Sequence, residues 1–369
     1  MPGAVSVRKD NFSICRREDL HVLTKLIRTT ALTCGLAITG SAFAEAPAPY
    51  DITPELIEAA TSEGSVVFYT ATDVAVAEQL AELFKSTYPG IEVQVERAGS
   101  ERVFQRIGQE TSSGIQNADV IETSDAVHFE YFKRHEWLEA MVPQEVADKW
   151  PEDEKDPDGY FAAYRAHLSV LAYRSDMLDE ADAPKTWNDL LKPEYSGKMV
   201  KAHPGYSGTV MSATYSLVEL LGWDYFEQLG AQDVMQVQSS TEPPKKLAQG
   251  ERIIQADGNE YNIFRLQDEG VPITIVYPEE GTPIAVGNAG VLAGAPHPNA
   301  AKLFYAFLFS HEAQQLNSDS GGLRSFHPDV VEKDSRTPLS EIPLLHVDAE
   351  KLEAMILEIK SNYEKFFGT

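Results

Sequence analysis

The chain alternates short apolar runs with amphipathic segments, and this alternation restricts its fold more than any other feature. The apolar runs that predict strands are Ser65–Ala71, Ile91–Ala98, Ala118–Thr123, Lys198–Lys201, Val234–Gln238 and Arg252–Ala256. The segments that predict helices are Ala75–Tyr88, Glu101–Ser112, Asp125–His135, Val210–Leu221, Pro243–Gln249 and Asn259–Glu269. Strands that alternate with helices in this way predict an α/β fold with parallel sheet.

Two extended stretches without helical periodicity separate these units. The first is Tyr160–Tyr173, and the second consists of Ile273–Tyr277 followed by Pro283–Leu292. Because 369 residues exceed what one hydrophobic core usually organises, we interpret both stretches as crossover strands between two lobes. Clefts between hinged lobes bind small molecules and close on them. The sequence therefore predicts a two-lobed α/β fold with an interlobe cleft.

The predicted domain boundaries follow from these crossings. Residues 1–44 form a leader, residues 45–165 the first part of lobe 1, residues 166–284 lobe 2, and residues 285–330 the return to lobe 1. Residues 331–369 are expected to add C-terminal helices that pack on the lobes, with Ala349–Phe366 as the last helix. Two further helices are predicted, one over Asn299–Asn317 and one that begins at Lys185–Leu191.

The N-terminus has the pattern of a secretory signal peptide. A basic region is followed by the apolar run Ala31–Ala44, which ends in two alanines separated by one residue, and we expect cleavage after Ala44. The mature protein is then exported, and its predicted location is the periplasm. Cys15 and Cys34 both lie in this leader, so the mature chain is expected to have no disulfide, thiolate metal site or cysteine nucleophile.

Charge and motifs narrow the classes of function. The net charge of −26 makes nucleic acid a poor partner, although a few arginines in a cleft still create a local positive field. The sequence contains no Gly-x-Ser-x-Gly, His-Glu-x-x-His, Walker or Gly-x-Gly-x-x-Gly motif. We therefore expect a binding protein that is not an enzyme and needs no cofactor.

Small polar residues follow five of the predicted strands. These turns are Thr70–Asp73, Gly99–Arg102, Thr123–Asp125, Ser207–Thr209 and Ser239–Thr241. Open α/β sheets bind ligands beyond the carboxyl ends of their strands, which is where these turns fall. Hydroxyl groups and free N–H groups at helix starts bind anions, but the same residues also serve as ordinary helix caps.

Basic residues near the strand ends suit an anionic ligand. They are Arg97, Arg102, Arg165, Lys201 and His203. Guanidinium groups bind phosphate and carboxylate with two parallel hydrogen bonds. Surface ion pairing, as between Arg106 and Glu110, explains part of the same pattern.

The chain resembles the periplasmic solute-binding proteins of ABC importers, in the branch of ferric-ion, phosphonate and sugar-phosphate binders with the type II periplasmic binding fold. The resemblance covers nearly all of the mature chain. The segments that carry it are Val67–Ala71, Asp119–Ile121, Thr186–Leu191, Pro193–Lys198, Asn259–Tyr261, Arg265–Leu266, Asn288–Val291 and Pro298–Ala301. It implies a solute-binding monomer that delivers its solute to an ABC permease in the inner membrane.

The same resemblance bears on the identity of the ligand. Positions that hold iron ligands in ferric binders look like Asp73, Ser124, Tyr261 and Asn262, so only the tyrosine is kept. Neutral oxygens suit ferric iron poorly but hydrogen-bond organic anions well. Two alternatives stay open. One is ferric iron held by Tyr261 and Asp73, with Tyr164 or Tyr206 added, and the other is a sensing receptor or an enzyme on the same scaffold.

The predicted solute is therefore a small organic anion, which is a phosphonate, a phosphorylated compound or a carboxylate. The anionic head is assigned to Ser207, Gly208, Thr209, Ser240 and Thr241, with Arg102 or Arg165 completing its charge. The remaining predicted ligand-binding residues are Tyr69, Thr72, Asp73, Ser100, Ser124, Tyr261 and Asn262.

Overall fold

The computed structural model describes residues 46–368, so the predicted signal peptide lies outside the described residues. Within that range the chain forms twelve strands and twelve α-helices, arranged around two separate sheets. No helix of the described range combines the length and the apolar composition needed to cross a membrane.

The first sheet has seven strands, and we call the part of the chain built on it lobe 1. Its strands are β1 (Ser65–Thr70), β2 (Glu92–Arg97), β3 (Val120–Thr123), β4 (Leu138–Glu139), β5 (Ala162–Leu168), β11 (Thr282–Leu292) and β12 (Leu344–Leu345). The order is β12-β11-β3-β1-β2, and β4 and β5 also pair with β11. The parallel core β3-β1-β2 confirms the alternation predicted from the sequence.

The second sheet has five strands, and we call the part built on it lobe 2. Its strands are β6 (Leu171–Arg174), β7 (Met199–Ala202), β8 (Met235–Val237), β9 (Ile254–Asp257) and β10 (Ile273–Val276). The order is β10-β6-β9-β7-β8, with β7 parallel to both of its neighbours.

The chain passes between the sheets twice, as predicted. The long extended run Tyr160–Tyr173 is two strands rather than one, because β5 pairs with β11 whereas β6 pairs with β9 and β10. The break falls at Ser169 and Val170, whose N–H groups bond to Pro283 and Gly258 instead of continuing one ladder. The return passes from β10 to β11. This arrangement is the two-lobed type II periplasmic binding fold. The residue boundaries proposed for the domains remain predictions.

The helices surround both sheets. They are α1 (Pro54–Glu63), α2 (Val74–Thr87), α3 (Ser100–Ser112), α4 (Ala126–Arg134), α5 (Gln144–Lys149), α6 (Gly208–Leu221), α7 (Trp223–Gly230), α8 (Glu242–Ala248), α9 (Glu260–Asp268), α10 (Pro298–Leu308), α11 (His311–Asp319) and α12 (Ala349–Phe367). In the core of lobe 1, the buried ring of Phe304 on α10 packs edge-on against Phe68 of β1 and Phe84 of α2. The last helix, α12, contacts α4 as well as α6 and α7.

Two local predictions were wrong. The single helix predicted over Asn299–Asn317 is interrupted after Leu308, because the Ser310 hydroxyl accepts from Ala313 N–H and starts α11 as a separate helix. The helix predicted from Lys185 is a 3-10 turn over Asn188–Leu191. Its start is held by the Thr186 hydroxyl, which accepts from Asp189 N–H.

Candidate functional site

A polar cavity lies where the turns of lobe 1 meet those of lobe 2. Its walls are Ala71, Arg97, Gly99, Ser100, Ser124, Arg165, Ser207, Thr209, Ser239, Ser240, Asn259 and Tyr261. All of them except Arg165 lie at or just beyond the carboxyl ends of six strands, where open α/β sheets bind ligands. The cavity volume is about 10 Å³, the room that one water molecule needs. The structure is therefore a closed form, and a solute enters only when the lobes separate.

Glycines permit the close approach of the lobes. A Cβ atom on Gly99 would lie 2.7 Å from the carbonyl oxygen of Tyr206, and one on Gly208 would lie 2.6 Å from the Cβ of Asp125. Distances below about 3 Å are not tolerated between such atoms, so both positions require glycine in this form. Gly208, which was assigned to the anionic head of the solute, lets α6 approach lobe 1 in this form.

Arg165 and Glu122 form a buried ion pair in the wall of the cavity. Their side chains are 2% and 0% exposed, and Nη2 of Arg165 lies 2.9 Å from Oε1 of Glu122. The other oxygen of Glu122 accepts from the hydroxyls of Thr70 and Thr72 and from two backbone N–H groups. The charge of Arg165 is therefore neutralised inside the protein, and its predicted role in completing the charge around an anion stays a prediction. Thr72 donates from its hydroxyl and its N–H group to the Glu122 carboxylate and does not line the cavity.

A hydrogen-bond chain runs from this ion pair to the cavity through His167. Nη1 of Arg165 lies 3.0 Å from Nδ1 of His167, and Nε2 of His167 lies 2.7 Å from the hydroxyl of Thr209. Burial, together with the charge of Arg165, holds the pKa of His167 well below its usual value, so the ring is neutral. Arginine only donates, so Nδ1 must accept and Nε2 must carry the proton. The hydroxyl of Thr209 then accepts from His167, and its own proton is free to donate into the cavity.

Arg97 supplies the uncompensated positive charge at the cavity. It ends β2, and its guanidinium donates to the carbonyl oxygens of Thr72 and Ala71 and to the hydroxyl of Ser239, at 3.3 to 3.5 Å. All three partners are neutral, and no carboxylate in residues 46–368 forms an ion pair with Arg97. The predicted alternative, Arg102, is exposed and donates to Gln238 across the cleft rim at 2.8 Å.

Helix starts add donors to the same cavity. Ser207 caps α6 by accepting from Val210 N–H, and the N–H groups of the first turn have no acceptor within the helix. On the opposite wall, the hydroxyls of Ser100 and Ser124 lie 2.7 Å apart at the start of α3. A helix N-terminus carries a partial positive charge, so both helix starts favour an anion between them.

Two buried amides leave a polar end unpaired. Asn259 is 2% exposed, and its Nδ2 donates to the Ser240 hydroxyl at 3.1 Å while Oδ1 has no partner in the described structure. Asn262 is 4% exposed and also has an unpaired Oδ1. A buried polar group without a partner costs free energy, and Asn259 at the cavity wall is available to a ligand that carries its own donor.

Asp73 and Tyr164 of the iron alternative are already engaged with other side chains. Asp73 caps α2 and forms an ion pair with Arg265 at 3.0 Å, so its carboxylate is already engaged. Tyr164 is buried in lobe 1 and bonds to Asn317, and Tyr206 is 42% exposed. Tyr261 lines the cavity, but burial raises the pKa of its phenol above the usual value, which opposes formation of the tyrosinate that iron requires.

Half of the residues predicted to bind the solute line the cavity. These are Ser100, Ser124, Arg165, Ser207, Thr209, Ser240 and Tyr261. The remainder lie outside its walls and are Tyr69, Thr72, Asp73, Arg102, Gly208, Thr241 and Asn262. Tyr69, for example, donates to Glu110 at 2.9 Å beneath the guanidinium of Arg106. Contact of any of them with a solute stays a prediction.

Sequence reasoning left out five polar residues at this site, one of which is Asn259 of the cavity wall, noted as the first residue of a predicted helix. Arg97 and Ser239 were both noted, one as a strand-end cation and the other in a polar turn, but neither was assigned to the ligand. Glu122 and His167 are themselves buried inside strands, and only the register of β1, β3, β5 and β11 brings both of them to Arg165. An ionisable residue inside an apolar strand is the signal that marks both.

Two α/β lobes closed over a polar cavity at their strand ends define a ligand-binding protein of the type II periplasmic binding class. The chain belongs to the bacterial extracellular solute-binding proteins, whose family model matches residues 69–315. The family suggested by the sequence motifs is thereby confirmed.

Individual relatives support this placement. A probable ABC transporter periplasmic-binding protein of Sinorhizobium fredii is 23% identical over 285 residues, covering 75% of this chain and 78% of the relative. The periplasmic binding protein AfuA from Actinobacillus pleuropneumoniae, solved with fructose 6-phosphate, has a TM-score of 0.75 and 23% identity, covering 83% of this chain and 99% of that chain. Iron-bound HitA from Pseudomonas aeruginosa has a TM-score of 0.70 and 21% identity, covering 81% and 99%. At these identities the solved structures establish the fold.

Proposed function

We propose that this protein is the periplasmic solute-binding subunit of an ABC importer and that it captures a small phosphorylated or otherwise anionic organic solute in the interlobe cleft. The observation that carries this proposal is the guanidinium of Arg97, which lines the cavity and has only neutral partners. The neighbouring ion pair between Glu122 and Arg165 contributes no net charge. With two helix starts at the same cavity, its local charge is positive although the whole chain is acidic.

The number of donors favours a phosphoryl group over a single carboxylate. Arg97, the Thr209 hydroxyl, the serine hydroxyls and the free N–H groups of α6 surround one small volume. A phosphoryl group presents three anionic oxygens and uses more of these donors than a carboxylate does. The unpaired Oδ1 of Asn259 accepts a hydrogen bond and therefore suits a hydroxyl on the same solute. A hydroxylated phosphate ester, the chemical class of the solute bound to AfuA, meets both requirements.

We expect no turnover of the bound solute. Nδ1 of His167 accepts from Arg165 and its Nε2 donates to Thr209, so the ring has no free lone pair to act as a general base. Partners of the protein are then the solute and an inner-membrane permease, with no role for nucleic acid, and we expect a monomer.

Isothermal titration calorimetry with hexose 6-phosphates, inorganic phosphate, 2-aminoethylphosphonate, citrate and the unphosphorylated hexoses tests this proposal. We expect saturable binding of an anionic organic compound and none of the neutral sugars. Binding of neutral sugars with equal affinity, or of no anion at all, would contradict the assignment.

Ferric iron remains the second candidate because Tyr261 lines the cavity and because iron-bound HitA shares the fold. Addition of ferric citrate tests it by absorbance spectroscopy. A tyrosinate-to-iron charge-transfer band that disappears in Tyr261→Phe would favour iron over the organic anion, and a colourless protein would exclude it.

A further inference from the structure

A second cavity, of about 430 Å³, lies on the other side of strand β11. Ile284, Val286 and Asn288 line it, whereas a Cβ on the intervening Gly287 would lie 2.9 Å from Glu122 in the cleft network. Successive residues of a strand point to opposite faces. The two cavities therefore occupy opposite faces of the same crossover strand, and they share no lining residue.

Both lobes and the segment before the last helix contribute to this second cavity. Lobe 1 supplies Glu130 of α4 and the loop of residues 153–157, and α6 of lobe 2 supplies Ser212. His346 and Val347 close it from the segment that leads into α12. The volume falls within the range of small-molecule sites, which is about 300–1,000 Å³.

The cavity is acidic, and three of its four carboxylates have no cation partner in the described residues. Glu130, Asp153 and Glu154 form neither an ion pair nor a side-chain hydrogen bond within residues 46–368, whereas Asp156 is paired with Lys133. Burial raises the pKa of Glu130, and burial together with Asp153 raises that of Glu154 to about 7. Carboxylates that are partly desolvated and unpaired bind a cation favourably.

Two buried neutral side chains also lack partners here. Asn288 is 5% exposed and Ser212 is 4% exposed, and both line the cavity. Neither side chain has a hydrogen-bond partner in the part of the chain that the structure describes. Such groups normally bond to protein or to ordered water, so both are available to a ligand that carries N–H donors.

Besides His346 and Lys155, whose ammonium is paired with Glu152, the cavity has an apolar wall. Phe161, Ile284, Val286 and Val347 provide it, which suits the body of an organic molecule and not a hydrated metal ion. The group of side chains in the described structure that is spaced to hold a metal lies elsewhere, at Glu101, Asp125 and His128. A ligand for the second cavity is therefore a cation with a substantial apolar part.

We propose that the second cavity binds a small organic cation, with its ammonium group between Glu130, Glu154 and Asn288 and its apolar body against Ile284 and Val286. The site goes beyond solute capture in the cleft and does not depend on which solute occupies it. Ser212 of lobe 2 lines the same cavity as Glu130 of lobe 1, so a cation that also bonds to the Ser212 hydroxyl contacts both lobes and favours the closed form.

Isothermal titration calorimetry at pH 8 with phenethylammonium tests this site, with phenethyl alcohol as the neutral control of similar shape. We expect the ammonium compound to bind at least about tenfold more tightly than the alcohol. The double variant Glu130→Gln/Glu154→Gln should lose at least about tenfold in affinity for the ammonium compound. Glu139→Gln, at an exposed position outside the cavity wall that forms no ion pair within residues 46–368, should bind like the wild type.

Three results would overturn the proposal: no binding of the cation at millimolar concentration, equal binding of the alcohol, or equal binding by the double variant. Loss of folding does not obscure the outcome, because removing unpaired, partly buried charges is not expected to destabilise the protein. Thermal melting of each variant, followed by circular dichroism, verifies this.

Discussion

His167 of β5 and Thr209 of α6 are joined by a hydrogen bond of 2.7 Å that connects lobe 1 to lobe 2 at the cavity wall. Because Arg165 donates to the other ring nitrogen, the ring proton lies on the side of Thr209. The threonine hydroxyl is thereby oriented as a donor to the cavity. The same bond has to break or lengthen when the lobes separate, so it links solute binding to closure.

Removal of the threonine hydroxyl tests this hydrogen-bond chain from Arg165 through His167 to Thr209. In Thr209→Val the solute loses one donor and Nε2–H of His167 loses its acceptor, and Thr209→Ser retains both interactions. We expect the valine variant to bind the anionic solute about tenfold more weakly and to be about 1–2 kcal/mol less stable, since a buried donor is left unpaired. The serine variant should stay close to the wild type in both respects. Calorimetry measures the affinity for the solute, and urea denaturation measures the free energy of unfolding. Equal affinities and equal stabilities of the valine and serine variants would contradict the proposed role of the Thr209 hydroxyl.

Arg97 and Arg102 provide a matched pair of arginines five positions apart. Arg97→Gln removes the uncompensated charge at the cavity, and a hydrogen bond to a charged group is worth about 1.5–3 kcal/mol. We expect the affinity for the solute to fall by about 10- to 100-fold. Arg102→Gln changes only an exposed contact with Gln238, so its affinity should stay within about threefold of the wild type. Similar losses in both variants would place the anion elsewhere.

The buried ion pair predicts a large loss of stability. Glu122→Gln leaves the charge of Arg165 without its partner in a wall where both side chains are almost completely buried. Breaking such a pair from one side costs about 3–5 kcal/mol, so we expect the free energy of unfolding to fall by about 3 kcal/mol or more. Urea denaturation of the solute-free protein measures it. A loss below about 1 kcal/mol, as found for exposed pairs, would show that the pair is solvated.

The raised pKa of Glu154 predicts a pH-dependent stability. Its carboxyl titrates at about 7 in the folded protein, against an ordinary value of 4.5. The folded state therefore binds this proton more tightly than the unfolded state does. The stabilisation that the bound proton provides is complete below pH 4.5 and is lost as the pH rises through about 7. The other ionisable residues that line the same cavity are Asp153, Glu130, Asp156, Lys155 and His346.

Glu154→Gln isolates this contribution from its neighbours. Between pH 5 and pH 8 we expect the free energy of unfolding to fall less in the variant than in the wild type. Parallel pH profiles for the two proteins, measured by urea denaturation, would show that Glu154 is solvated in solution.

The periodicity of the sequence predicted much of the fold because each strand and helix of lobe 1 buries a face that local spacing reveals. The chain was misread where a boundary depends on distant partners. The run from Tyr160 to Tyr173 is apolar throughout, and only the pairing of its two halves with β11 and with β9 separates them. Likewise, a single serine cap at Ser310 divides what periodicity alone presents as one helix.

The sequence predicted several of the turns that line the candidate site, but it did not predict which of the charged residues are paired. The turns of Ser100, Ser124 and Ser207 were predicted because strand ends gather at one edge of a sheet. Which arginine is free of an acidic partner could not be predicted, because it depends on which carboxylate lies nearby. Arg165 meets Glu122 forty-three positions earlier in the chain, whereas Arg97 meets none in the described residues, and local sequence spacing records neither fact.

Native mass spectrometry after incubation with a mixture of hexose phosphates, 2-aminoethylphosphonate, dicarboxylates and ferric citrate tests most directly whether the cleft binds an organic anion through Arg97. We predict a one-to-one adduct with the mass of one of the organic anions, present in the wild type and in Arg102→Gln and lost in Arg97→Gln. An adduct with the mass of iron, an organic adduct that persists in Arg97→Gln, or the absence of any adduct would contradict it.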